Sequence, residues 1–233
     1  MRILAIGAHP DDVEFACGGI LLNEVARGAE VFLCVCSRGE SGTNGTPEER
    51  EAETRRAAQL LGANLDFLDF GGDAHIEASN RNALELARKI RSVQPDVLLS
   101  SVTSPDQHPD HAIVGGLCRD AARLARYRNV AELRQLSPHT LAQHLKYAVT
   151  PGAERRQGDC VIRVDISAQY QAWIALMECH ATQLRTRSYV ELQIARARLL
   201  GEEAGVAHAQ ALFLTDDLLV NSLGEIPRSV RLF

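Results

Sequence analysis

The stretch RILAIGAHPDDVEFACGG, residues 2–19, decides the fold. Its apolar run Arg2–Gly7 reads as a short strand closed by a glycine, and the residues behind it read as a strand-to-helix turn. A nucleotide-binding protein places glycines at such a turn, so that a phosphate can approach the backbone. Here the turn carries His9, Asp11 and Asp12 around Pro10. An imidazole and two carboxylates suit a cation, not a phosphate.

Outward from that turn, strand and helix signals alternate. Residues 31–37, 65–70 and 96–100 are further apolar runs of strand length, and helical patterns separate them. Thr46-Pro47-Glu48-Glu49 is a helix start: an N-cap threonine, proline at the first helical position and glutamate three residues after the cap. That helix is expected to reach Leu61 and stop at Gly62. Further helices are expected over 81–93 and 112–125. Alternation of this kind implies βαβ units and a parallel sheet, an α/β fold. Residues 161–167 read as a half-buried strand. Helical patterns over 169–186 and 189–200 follow, and then the apolar segment ALFLTDDLLV. No Pro/Gly/Ser-rich linker or internal repeat divides the chain, so residues 1–233 are expected to form one domain, with 126–156 as a loop region over the sheet.

The 233 residues carry 25 Lys and Arg against 30 Asp and Glu, a formal charge of −5. That balance argues against a nucleic-acid surface, which needs clustered cations. The N-terminal apolar run is broken by His9 and the acids before a signal-peptide core could form, and no segment has the length of a membrane span. The chain therefore reads as soluble and cytoplasmic. Its six cysteines lack zinc-ribbon spacing and read as small buried hydrophobes.

The first motif has a counterpart. HPDD (His9 to Asp12) follows the first strand, and HPDH (His108 to His111) follows the fourth. In a sheet of order 3-2-1-4-5 those strands are neighbours, and ligands gather outside their carboxyl ends. Three imidazoles (His9, His108, His111) and three carboxylates (Asp11, Asp12, Asp110) thus come to one crevice. Such a set suits zinc, and iron or cobalt would accept it. Spacing leaves open which aspartate of HPDD and which histidine of HPDH would bind metal. Pro10 and Pro109 stiffen the turns and bias the preceding histidines toward extended backbone. Glu14 reads as a charge favoured by the helix N-terminus.

With both motifs in hand, the chain resembles the LmbE-like (PIG-L) family of zinc-dependent N-acetylglucosamine deacetylases. GAHPDDVEFACGG and QHPDHAIVGG carry the resemblance, and NGTPEEREAETRRAAQLLGA, CHATQLR and YVELQIARARLLGEEAGVAHAQALF extend it along nearly the whole chain. It implies a Rossmann-like three-layer αβα sandwich with a mainly parallel sheet. It implies Zn2+ held by His9, Asp12 and His111, with Asp11 as general base. His108 would be protonated and would stabilise the oxyanion or protonate the departing amine, and Asp110 would orient one of the histidines. The reaction is hydrolysis of the N-acetyl amide of a small amino-sugar substrate.

Details of the first motif and of the C-terminal third look most like the bacillithiol branch, which deacetylates N-acetylglucosaminyl-malate. The chain has Val13 where the commoner HPDDE form has glutamate, and this bears on the branch alone. Arg38 and Arg50 are candidate contacts to sugar hydroxyls or carboxylates. Arg185 and Arg187 read as residues of a helix surface or interface, and His180 resembles a further family histidine. Family members often assemble as trimers or hexamers.

The alternatives are a deacetylase of another acylated amino sugar or mycothiol-type conjugate, and a non-catalytic metal- or sugar-binding protein. A mere binder has no need of Asp11. A dehydrogenase would want GxGxxG after the first strand and a serine hydrolase GxSxG, and neither is present.

Overall fold

The protein is described by a computed structural model over residues 1–153 and 160–230. Seven strands form one sheet: β1 (Arg2–Gly7), β2 (Glu30–Val35), β3 (Asn64–Phe67), β4 (Val97–Ser101), β5 (Gln143–Tyr147), β6 (Val161–Asp165) and β7 (Ala209–Leu214). Their order is β3-β2-β1-β4-β5-β7-β6. The first five run parallel, and β7 lies antiparallel between β5 and β6. The helices are α1 (Asp12–Ala26), α2 (Pro47–Leu61), α3 (Asn80–Val93), α4 (Pro109–Arg126), α5 (Tyr170–Glu178) and α6 (Tyr189–Ala204).

Alternation along β1 splits the core in two. Ile3 and Ala5 join α1, α2, α5 and α6 on one face, while Leu4 and Ile6 join α3 and α4 on the other. The result is the expected Rossmann-like three-layer arrangement. The chain changes face between β3 and β4, so the order reverses at β1 and β4. Both motifs stand at that reversal. Among the described residues, no helix is long and apolar enough to cross a membrane.

Local signals hold where they are strong. Thr46 and Glu49 form both arms of the capping box (3.2 and 2.8 Å), Pro47 opens α2 and Gly62 closes it at φ 73°. Gly18 and Gly19 make room for close packing around α1. A Cβ on Gly18 would stand 2.8 Å from Leu176 of α5, and one on Gly19 2.8 Å from Ile166 and 3.0 Å from Gln210 of β7.

Three expectations need correction. Residues 126–156 are not a loop over the sheet: β5 lies inside this stretch and pairs with β4 and β7 (154–156 lie outside the described residues). Tertiary position makes QHLKY a strand, since its short alternation with Lys146 and His144 carries little pattern of its own. The helix expected over 169–186 ends at Glu178. Beyond it Glu53 of α2 captures Thr182, accepting from its backbone N–H (2.8 Å) and its hydroxyl (2.6 Å). Helix α4 starts at Pro109, not residue 112, because the His108 ring caps it.

His144 of β5 lies with Nε2 2.8 Å from Ser100 Oγ of β4. Burial, reinforced by Lys146, lowers its pKa to about 4. As pH falls, the unfolded chain binds this proton first, so the stability contributed by neutral His144 is complete above about pH 6.5 and is lost toward the folded value. His144→Asn is expected to flatten this part of the stability–pH curve relative to the parent, as read by denaturant titration across that window.

Candidate metal centre and active-site cleft

The first half of the site is a turn folded around its own side chain. The backbone N–H groups of Ala8 and His9 both donate to Asp12 Oδ2 at 2.9 Å. The other oxygen, Oδ1, stands 3.0 Å from His111 Nε2. Burial opposes the charge on Asp12, but His111 and His9 outweigh it and hold the carboxyl well below the usual range.

The second half is built by β4 and α4. His108 caps the helix, its Nδ1 accepting from the Asp110 N–H (3.3 Å), and His111 follows within the first turn. The Ser101 hydroxyl donates to the His111 carbonyl (2.5 Å), tying the helix to its strand.

His9 Nδ1 and His111 Nε2 face each other at 3.2 Å. His9, Asp12 and His111 offer donor atoms that all lie within 4.8 Å of one another, and all three residues are buried. The opposite nitrogen, His9 Nε2, is 3.0 Å from Asp110 Oδ2 and 3.1 Å from Asp73 Oδ1. Carboxylates behind a ligating imidazole fix its tautomer and turn the free lone pair toward a metal. Burial disfavours a charged His9, yet Asp110, Asp12 and Asp73 raise its pKa to about 12. The cluster therefore demands positive charge, which a proton meets in the metal-free protein. Two imidazoles and one carboxylate fit the ligand set of a catalytic zinc site. The donor atoms of His9, His108 and Asp110 also lie within 4.8 Å of one another, but there His9 faces Asp110 through Nε2, the nitrogen two carboxylates already engage.

Asp11 stands beside this cluster in a left-handed backbone conformation, φ 100°. A non-glycine residue held there costs on the order of 1–3 kcal/mol and must be over-determined by its surroundings. Arg50 does much of that. One guanidinium nitrogen donates to the Pro10 carbonyl (2.9 Å) and to Asp11 Oδ2 (3.4 Å), and the other donates to the Gly39 carbonyl (3.2 Å). Burial raises the Asp11 pKa to about 6, against the pull of Arg50.

The residues expected at the site thus divide. His9, Asp11, Asp12, Arg50, His108 and His111 line one cleft of about 320 Å³. Asp110 lies behind His9. Arg38 is elsewhere: its Nε donates to Glu51 (3.0 Å) and its guanidinium lies over Phe67. Around His108, Nδ1 accepts a backbone hydrogen bond, and burial together with His9 and His111 lowers the pKa, both of which work against the protonated form that the resemblance implies.

Sequence reasoning missed Asp73, which a turn beyond β3 brings to His9 and Arg50. The Gly-Gly-Asp of that turn was its only signal. It also placed Arg187 on a helix surface or interface, whereas Arg187, Gln183 and Tyr189 line the cleft. Glu14 and His180 lie outside that lining, fully buried, with Glu14 Oε1 3.3 Å from His180 Nε2.

A Rossmann-like sheet with a histidine–carboxylate cluster at its reversal point defines an α/β protein with a metal-type centre. Residues 4–122 match the GlcNAc-PI de-N-acetylase (PIG-L) family, and the chain belongs to that family. An uncharacterised deacetylase of Escherichia coli, YaiS, is 35% identical over 119 residues, covering 48% of this chain and 63% of the relative. A 1D-myo-inositol 2-acetamido-2-deoxy-alpha-D-glucopyranoside deacetylase of Corynebacterium diphtheriae is 29% identical over 78% of this chain and 76% of its own. The crystal structure of the conserved protein TT1542 from Thermus thermophilus superposes with a TM-score of 0.83 at 30% identity, covering 94% and 96% of the two chains. A 4-oxalmesaconate hydratase of Pseudomonas putida is 27% identical over 53% of this chain and 52% of its own, so deacetylation is not the only reaction named among the relatives.

Gly115 lets α4 lie on the end of β4: a Cβ there would stand 2.3 Å from the Ser101 carbonyl oxygen, whereas one on Gly116 would meet nothing within 4 Å. Gly115→Ala is expected to cost about 1–3 kcal/mol and to weaken metal retention, since His111 rides on this helix. Gly116→Ala is expected to be neutral or to stabilise by up to about 1 kcal/mol. Thermal denaturation and metal content of the two variants check this.

Proposed function

We propose that the chain is a zinc-dependent N-deacetylase of small molecules containing N-acetylglucosamine. N-acetylglucosaminyl-malate, on the way to bacillithiol, is the specific substrate proposed, and a cytoplasmic homo-oligomer is the proposed form. The observation that carries the reading is the convergence of His9, Asp12 and His111 with Asp11 at their side. A hydratase reading gains no specific support from these residues.

His9, Asp12 and His111 would hold the cation, another divalent transition metal being an acceptable substitute. When bound, zinc supplies Lewis acidity that makes water nucleophilic near neutral pH and polarises the acyl oxygen. The rest falls to the chain. Asp11, more basic than an ordinary carboxylate because it is buried, accepts the proton of the attacking water. Its protonated form then returns that proton to the sugar nitrogen as the C–N bond breaks, and the second proton of the water stays on the acetic acid that leaves beside the free amine. His108 donates from Nε2 to the oxygen that gains charge. Asp110 and Asp73 hold His9 in one tautomer, and Arg50 holds the Asp11 turn.

Asp11→Asn is expected to bind metal as the parent does while kcat/KM for acetate release falls about 10²- to 10⁴-fold. Loss of metal in that variant would mean that base and ligand have been exchanged. The working form of Asp11 is ionised, so activity is lost as pH falls through its pKa. That acid limb is expected at or below about 6, because a neighbouring cation favours the carboxylate. His108→Ala is expected to keep its metal and lose about 10²- to 10³-fold in kcat, with little change in KM. A parent protein that carries metal but releases no amine from any acetylated amino sugar would falsify the reading.

A further inference from the structure

The charges that line the cleft are almost all engaged within the protein. Asp12 is held by two backbone N–H groups and His111, Asp73 lies against His9 and Arg50, and Asp11 lies against Arg50. The Arg50 η-nitrogens are directed to the Pro10 and Gly39 carbonyls and to Asp11. Arg187 is different. It is exposed, it lines the same cleft, and it makes no ion pair among the described residues. Its neighbour Arg185, by contrast, faces Glu49 at 3.6 Å.

Arg187 is also oriented. Its guanidinium lies over the Tyr189 ring, 5.3 Å from the centroid, and Tyr189 lines the cleft as well. Stacking of this kind steadies the planar fork without consuming its N–H donors, which match the two oxygens of a carboxylate or phosphate. The protein as a whole carries a formal charge of −5, which repels an anion at long range. An uncommitted arginine on the cleft wall offsets that repulsion locally.

We propose that Arg187 recognises an anionic group, a carboxylate or a phosphate, on the part of the substrate remote from the acetamide. This rests on the deacetylase reading and adds to it the residue that selects an aglycone of the malate type by its charge. It sets this chain apart from the inositol-linked substrate named for the corynebacterial relative, which bears no charge.

Three conjugates of one N-acetylglucosaminide test it: a malate aglycone, the dimethyl ester of that aglycone, and a phosphate monoester aglycone. The metal-loaded parent is expected to favour a charged conjugate over the ester by roughly tenfold or more in kcat/KM, expressed in KM. Arg187→Gln is expected to bring that ratio close to one, and Arg187→Lys to retain part of it. Added salt is expected to weaken the preference in the parent. The malate and phosphate arms show which anion is taken. Binding of the same conjugates to Asp11→Asn, measured by calorimetry, makes the comparison without turnover. A ratio unchanged by Arg187→Gln, or equal Kd values for charged and esterified conjugates, overturns the proposal. Charge-selective binding without acetate release from the parent would instead sink the deacetylase reading and leave the Arg187 site standing.

Discussion

The Asp12 carboxylate is the constraint on which the site depends. One oxygen gathers the N–H groups of Ala8 and His9, and the other faces His111 across the gap between β1 and β4. A turn that wraps its own side chain has little freedom left. It brings His9 and Asp11 to the same cleft, and it does so where the parallel sheet reverses its order. Two segments nearly a hundred residues apart thereby become one cluster. Neither motif has a partner until the sheet forms.

Such a cluster is expensive to bury. Charged groups removed from water are tolerated only when paired and hydrogen-bonded. The fold meets that demand in layers. Asp110 and Asp73 stand behind His9, the Ala74 N–H donates to Asp110 (2.7 Å), and the Asp73 N–H donates to Glu40 (2.9 Å). Arg50 reaches the other side of the turn and supports a left-handed aspartate that glycine would adopt with less strain. That Asp11 sits there and not a glycine argues that its carboxylate is used. The surroundings that raise its pKa by burial also make it a better proton acceptor.

Much of this was legible in the chain. The two HPD motifs, their places after the first and fourth strands and the parallel α/β layout follow from short-range patterns, as does the capped α2. What escaped shares one cause, which is that it depends on partners distant in sequence. Residues 143–147 are a strand because β4 and β7 flank them, not because of their own alternation. The expected helix over 169–186 stops at Glu178, and beyond it Glu53 of α2 holds Thr182. Asp73 gains its role from a turn that crosses to His9, and Arg187 gains its place from the segment that leads into α6. Arg38 and Arg50 look alike as sequence. Only the fold sends one to Glu51 and the other to the Asp11 turn.

The sequence by itself determined the chemistry on offer: imidazoles and carboxylates at two stiffened turns, in a frame whose strand–helix alternation brings those turns together. Residue type and local geometry settle that much, because backbone preference and donor chemistry are properties of short segments. Tertiary structure decided how those groups are arranged and paired. It chose which nitrogen of His9 faces Asp12 and His111, set His108 Nδ1 against the Asp110 N–H, and left Arg187 as an uncommitted cation on the cleft wall. Protonation, tautomer and pairing depend on the field of every neighbouring group, and that field exists only once the chain has folded.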